Sequence, residues 1–326
     1  MVTKKYIVGL LAALGLALPQ VGLAADPYPS SPIKLIVPFA ASGGTDAVAR
    51  VVAQVLASRL PQPVIVENKP GAGGSIGTMA VVQAPADGHT LLLGSNGTMV
   101  LNPLLYTTLK YQVDKDLVPV AGLAAIPYLI AANPQFKATD IKTLIATARS
   151  ERVTFASSGH GTTAHLVGVL LESVAKVEMT HVPYRGAAPA MNDVVGGQVH
   201  FMPGDLNTLI PMVNSGKLRA LAVTGPRRAA ILPQVPTVAE SGLPEFQATG
   251  WFGIFAPKGT PPQVVAKLSA DIAQALTDPR VVQRLHDLGG SAMPLNPDQL
   301  GELVRAENQK WRKVITDNRV TADNLQ

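Results

Sequence analysis

The residues best placed to do chemistry lie in two short turns, Val37 to Asp46 (VPFAASGGTD) and Phe155 to Thr163 (FASSGHGTT). Each follows a short apolar run rich in β-formers and opens directly into a helical pattern. Small residues leave backbone N–H groups bare at a helix start, where the macrodipole also favours negative charge. Ser and Thr hydroxyls add donors, and neither turn carries Lys or Arg. This chemistry suits capture of a small anion, a carboxylate above all, more than it suits catalysis. In the first turn, Ser42 and Thr45 would add hydroxyls to the N–H groups that follow Ser42. The bland alternative is that Gly43 and Gly44 merely let the chain turn, with Thr45 or Asp46 capping the helix. Asp46 also lies one helical turn from Arg50, an ordinary ion-pair spacing.

Other constellations carry less. Gly71 to Gly77 (GAGGSIG) superficially resembles a dinucleotide fingerprint, but it follows the second strand. It also has no acidic residue ending the next strand, where Gly94 and Ser95 sit, and no phosphate-loop Lys. No cofactor is expected. Ser157, Ser158, His160, His165 and Asp205 could suggest a secreted serine hydrolase, yet no G-x-S-x-G elbow is present. The six His residues show no helical pairing with carboxylates of the kind metal sites use, so no metal is expected either. Tyr184 and Arg185 sit at one strand end and Asp205 at another. Asp205 reads either as a helix cap or as an acceptor for a ligand amine.

The elements that must position these turns alternate through the first two-thirds of the chain. Strands are expected at Ile33–Val37, Val64–Glu67, Thr90–Leu93, Val153–Ala156, Met179–Val182, Val199–Met202 and Leu218–Val223. Helices intervene, as at Asp46–Leu60, where Val48, Val51, Val52, Val55 and Leu56 share a face. This is an α/β pattern with mostly parallel sheets covered by helices. Ligands in such sheets bind beyond the carboxyl ends of strands, where both turns lie. Leu123–Ala131 and Thr249–Ala256 read as strands linking two lobes. The C-terminal part is helical, over Pro262–Leu276, Val281–Leu288 and Asp298–Ile315, with Trp311 on the apolar stripe of the last.

Bulk properties bound the partners. Lys4 and Lys5 precede an uncharged apolar run, Ile7 to Leu18, and small residues Gly22 and Ala24, the pattern of a secretory signal peptide over residues 1–25. Without Lys4 and Lys5, 25 basic residues face 22 acidic ones, a mild and scattered excess. With aromatics at 5 %, this does not make a nucleic-acid surface. The absence of cysteine excludes disulfides and thiolate chemistry.

Several motifs together resemble one family. They are Ile33–Phe39 (IKLIVPF), Thr45-Asp46 with Ala49-Arg50, Glu67–Gly74 (ENKPGAGG), Ala86–Leu92 (ADGHTLL), Ser157–Thr162 with His165-Leu166, His181–Gly186 (HVPYRG), Val235–Gly242 (VPTVAESG) and Ala256–Pro261 (APKGTP). The chain resembles the Bug (Bordetella uptake gene) receptors of tripartite tricarboxylate transporters over nearly its whole length. That resemblance implies a two-lobed, type II-like periplasmic binding protein, each lobe a mostly parallel sheet flanked by helices, with the ligand cleft between lobes. Residues 26–124 with 227–326 would form lobe 1 and residues 125–226 lobe 2. It further implies a monomer in the periplasm that takes a small carboxylate and serves membrane transporter subunits or, alternatively, a sensor protein. The expected ligand-binding set is Phe39, Ala41, Ser42, Gly43, Thr45, Asp46, Ser95, Ser157, Ser158, Gly161, Thr162, Thr163, Tyr184 and Asp205. Departures from the family pattern include Ser42 before the Gly pair, His89 at an aromatic position, and Met202-Pro203-Gly204 before Asp205.

Overall fold

The computed structural model describes residues 28–41 and 44–321. The leader expected over residues 1–25, and Ser42 and Gly43, lie outside them. In chain order the first elements are β1 (Ile33–Val37), α1 (Gly44–Ala57), β2 (Val64–Asn68), α2 (Ser75–Val82), β3 (Thr90–Ser95), α3 (Asn102–Leu105) and α4 (Val113–Asp116). Then come the 16-residue β4 (Leu117–Ala132), α5 (Ile141–Ser150), β5 (Thr154–Ser157), α6 (Thr163–Ala175), β6 (Thr180–Pro183), α7 (Ala187–Val195), β7 (Phe201–Asp205), α8 (Leu206–Asn214) and β8 (Arg219–Val223). The chain ends with β9 (Thr249–Pro257), α9 (Pro262–Ala275), α10 (Pro279–Asp287), β10 (Ser291–Ala292) and α11 (Pro297–Asp317).

Strand pairing gives two sheet regions that share β4. One has the order β2-β1-β3-β9-β4-β10, the other β6-β5-β7-β4-β8. β1 pairs in parallel with β2 and β3, and β5 in parallel with β6 and β7. Among the described residues, every antiparallel pairing involves β4 or β9. Parallel pairing therefore stays within the βαβ units, and antiparallel pairing belongs to β4, which has pairings in both regions, and to β9. The first part of β4 pairs with β9 and its last residues, Tyr128 to Ala132, pair with β7. Bulges near Pro119 and Gly122 accommodate the proline that a regular central ladder would reject.

Apolar periodicity explains the helices. α1 buries Val48, Ala49, Val52, Val55 and Leu56 on its side against β1 and β2, while α6 buries Leu166, Val167, Leu170 and Leu171. Trp311 of α11 is fully buried, and its indole N–H donates to Glu307 Oε2 at 2.8 Å. Among the described residues no helix is long and apolar enough to cross a membrane.

One close approach fixes the first turn. A Cβ on Gly77 of α2 would lie 2.7 Å from both the Lys69 carbonyl oxygen and Pro38 Cα, backbone atoms that cannot step aside. Gly77→Ala is therefore expected to cost about 1–3 kcal/mol by overpacking. A thermal melt should show a midpoint lowered by several degrees; an unchanged midpoint would remove this contact from the account.

Candidate functional site

Chain order makes each turn a switch point. From β1 the chain passes through α1 to β2 on one side, then through α2 to β3 on the other. From β5 it passes through α6 to β6, then through α7 to β7 on the opposite side. The crevice outside the carboxyl end of such a strand is where open α/β sheets bind ligands. The residues after Val37 and after Ser157 occupy these two places.

Both turns border one cavity of about 350 Å³. The first contributes Phe39 and Thr45, and the second contributes Ser158, His160, Gly161, Thr162 and Thr163. Ser95 and Asn96 enter from the end of β3, Asp205 from the end of β7, Tyr128 from β4, and Trp251 with Phe252 from β9. Among the described residues, neither Lys nor Arg lines the cavity. An anion here would meet N–H dipoles, hydroxyls and helix starts rather than a counter-ion.

Of the expected ligand-binding set, Phe39, Thr45, Ser95, Ser158, Gly161, Thr162, Thr163 and Asp205 line this cavity; Ala41, Asp46, Ser157 and Tyr184 do not. Ala41 is exposed on the turn. Asp46 is buried behind it, accepting from Arg50 Nε at 2.8 Å and from Asn68 Nδ2 at 3.0 Å. The Tyr184 hydroxyl donates to Asp193 Oδ2 at 2.5 Å. Ser157 is fully buried and donates its hydroxyl to the Gly159 carbonyl at 2.9 Å.

The second turn is tied from within. The Thr162 hydroxyl donates to the Gly159 carbonyl at 2.7 Å, so its proton serves the turn rather than a ligand. Gly161 N–H donates to His165 Nδ1 at 3.1 Å. These bonds leave the Ser158 hydroxyl and the first N–H groups of α6 as donors on this side, since first-turn amides have no carbonyl behind them.

Asp205 opens α8, yet its side chain makes no capping hydrogen bond. The carboxylate is open to the cavity but lies deep between the sheet regions. Loss of bulk water there raises its pKa above the usual carboxylate value. Its cross-strand partner is Tyr128. Burial first, and the Asp205 charge second, push that phenol's pKa up.

At the second turn, His160, with His165 and His181 behind it, brings three ring nitrogens to within 4.8 Å of one another. Sequence spacing gave no sign of this cluster. The His165 and His181 rings stack with centroids 3.9 Å apart. His181 Nε2 meets Ser157 Oγ at 2.7 Å; because that hydroxyl donates to Gly159, the ring nitrogen is the donor. His165 accepts at Nδ1, which puts its proton on Nε2 and leaves no lone pair for an ion. The set therefore does not fit a metal as it stands. Nor is Ser157–His181 an acyl-transfer pair: the hydroxyl is buried, and His181 Nδ1 has no protein partner.

Burial, with the neighbouring imidazoles second, lowers the pKa of His165 to about 4 and of His181 to about 3. Both start from 6.5 in the unfolded chain, so below that pH the unfolded state binds more protons. Stability should fall as pH drops from 6.5 through 4. Glu172, raised to about 7 chiefly by burial, acts oppositely and loses stability as pH rises from 4.5 through 7. Melting midpoints across pH 4 to 8 check both trends, and Glu172→Gln should raise the midpoint at pH 8 but not at pH 4. A flat profile from 6.5 to 4 would count against the neutral histidine stack.

Comparison with known proteins agrees with this architecture. The family model described as tripartite tricarboxylate transporter family receptor matches residues 48–320. The chain belongs to that receptor family. Protein BugT of Bordetella pertussis is 38 % identical over 315 residues, covering 94 % of this chain and 97 % of BugT. The solved periplasmic binding protein BugD superposes with a TM-score of 0.76 at 36 % identity, covering 90 % of this chain and 99 % of BugD. The R. palustris protein Rpa4515, solved with adipate, gives a TM-score of 0.80 at 32 % identity, covering 90 % and 99 %. The fold of this family member is thus that of a periplasmic binding protein. Asn96, Tyr128, Trp251 and Phe252 were missed as cavity residues in this sequence. Asn96 had a signal, since it follows a strand end as Ser158 does; the other three reach the cavity only through the pairing of β4, β7, β3 and β9.

Proposed function

We propose that the protein captures a small carboxylate between its two helix-start turns and delivers it, in the periplasm, to the membrane subunits of a tripartite transporter. One observation carries the reading: turns at two switch points border a single cavity whose lining, among the described residues, has donors but no Lys or Arg. The family membership and the adipate held by Rpa4515 support it.

In this reading Phe39, Thr45, Ser95, Ser158, Gly161, Thr162, Thr163 and Asp205 contact the ligand, with Ala41, Ser42 and Gly43 kept as further candidates. Asp46, Ser157 and Tyr184 act from behind as supports. Residues 26–124 with 227–326 form one lobe and 125–226 the other, with β4 and β9 as the links between them. A ligand that bonds both turns at once stabilises the closed arrangement over the open one, which couples capture to closure. Charge-assisted bonds to the carboxylate contribute about 1.5–3 kcal/mol each.

The test is a thermal-shift panel of small organic acids beside alcohols and amines of the same carbon skeletons. Acids that bind should raise the melting midpoint in a concentration-dependent way, by mass action on the folded state, without being converted to product. Stabilisation by the alcohols and amines but by no acid would overturn the reading.

A further inference from the structure

A second recess, a groove of about 740 Å³, runs along α11. Gly301, Val304, Arg305, Asn308, Gln309 and Arg312 line it, the spacing of one helix face over about 16 Å. The opposite wall comes from α4 and the start of β4, with Val113, Val118 and Pro119 half-buried there. Its charges are unequal. Exposed Arg305, Arg312 and Lys258 stand against one lining acid, Asp114, and among the described residues none of the three cations forms an ion pair. On other faces of α11, Lys310 and Lys313 pair with Glu307 and Asp317 of their own helix. One wall is shared with the ligand cavity: Gly97, Leu101 and Asn102 border the cavity, Met99 and Pro103 the groove, and Tyr106 both. This wall includes a π-helical turn, Gly97–Leu101, a geometry frequent at functional sites.

We propose that this groove is where the transporter's membrane subunits dock, through an amphipathic acidic helix of about three turns. This rests on the delivery reading above and names the surface that delivery uses. The helix lays its apolar side on Val113, Val118, Pro119 and Val304, and its carboxylates meet Arg305, Arg312 and Lys258. Unpaired cations around an apolar groove select an acidic partner, because they steer encounter and repel basic segments. A flat lipid surface meets the outer charges but does not follow the apolar walls inward, as a helix does. The seat also suits delivery: its occupant touches Tyr106, and the same residue borders the cavity that holds the ligand.

The test measures binding of the full mature protein to nanodiscs carrying the membrane subunits of the tripartite transporter encoded nearest its gene. Calorimetry of the panel acids runs alongside. Native protein should dock, more weakly as salt rises, because the rim charges are solvated. Arg305→Glu combined with Arg312→Glu should weaken docking at least about tenfold, since the reversal sets like charges against the partner. Asp114→Asn should tighten it, a gain that no folding defect produces. Neither variant should change acid affinity, because none of these residues lines the ligand cavity. Docking unchanged by the double reversal overturns the surface. Equal binding to protein-free discs of the same lipid also overturns it, in favour of a membrane surface. So does a dimer of the free receptor that the double reversal abolishes, which would give the groove to a second copy. No docking by protein that still binds acid overturns the surface while carboxylate capture stands. Failure of every acid to bind sinks the capture reading instead.

Discussion

Phe155→Ala is expected to cost about 3–5 kcal/mol of stability and to loosen the second turn with it. Phe155 is fully buried at the centre of β5, paired in register with His181 on one side and Phe201 on the other. Its ring stacks on His181 at 4.9 Å and on Phe201 at 5.7 Å between centroids. Gly168 of α6 has no room for a side chain because this ring fills the space: a Cβ there would lie 2.2 Å from Phe155 Cε2. Truncation would open a void under Ser157 and remove the platform on which the histidine stack rests. Denaturant unfolding should show the loss, and ligand affinity should fall although Phe155 touches no ligand. Phe155→Leu should recover most of the stability. If Phe155→Ala kept native stability, the packing account of the second turn would fail.

Asp46→Ala should have the second-largest effect, on the opposite side of the cavity. The buried Asp46 carboxylate accepts from Asn68 Nδ2 at 3.0 Å, and the same amide group donates to the Phe39 carbonyl at 3.0 Å. Arg50 Nε completes the chain at 2.8 Å. Together these bonds hold the first turn to the end of β2. Hydrogen bonds to a charged group are worth about 1.5–3 kcal/mol. We expect Asp46→Ala to lose stability on that scale and to weaken carboxylate binding at least about tenfold, as a misplaced turn withdraws its donors. Arg50 is mostly exposed while Asp46 is buried, so Arg50→Ala should cost less than Asp46→Ala, because the carboxylate keeps its bond from Asn68. Equal effects from Asp46→Ala and Arg50→Ala would mean that the ion pair, not the turn, is what matters.

Much of the fold was legible in the sequence. β1, β3, β5 and β8 are short apolar runs bounded by turn residues, and a strand buried on both faces has little choice of sequence. The full length of β4 was harder to see, because Pro119 and Pro127 interrupt it and only its bulges reconcile proline with a ladder. The two turns were legible because small residues before a helix have few uses. Side-chain direction was not. Ser157 and Ser158 are adjacent polar residues, yet one supports the turn from inside and the other faces the cavity, a choice made by the pleat of β5. Asp46 and Tyr184 were both in the expected ligand set; the spacing of Asp46 from Arg50 did announce their ion pair, but Asn68 beside Asp46 and Asp193 beside Tyr184 are known only from packing. Asn96, Trp251 and the three histidines depend on strand register across more distant segments, which periodicity does not report.

A crystal structure with the tightest-binding acid of the panel tests the central claim most directly. The wider groove of about 740 Å³ lies elsewhere on the molecule, lined in part by Asp114, Lys258, Arg305 and Arg312. The account predicts one acid in the smaller cavity, its carboxylate oxygens within hydrogen-bond distance of N–H groups at the start of α6 and of the turn before α1. A carboxylate bound instead against Arg305 and Arg312 would contradict it.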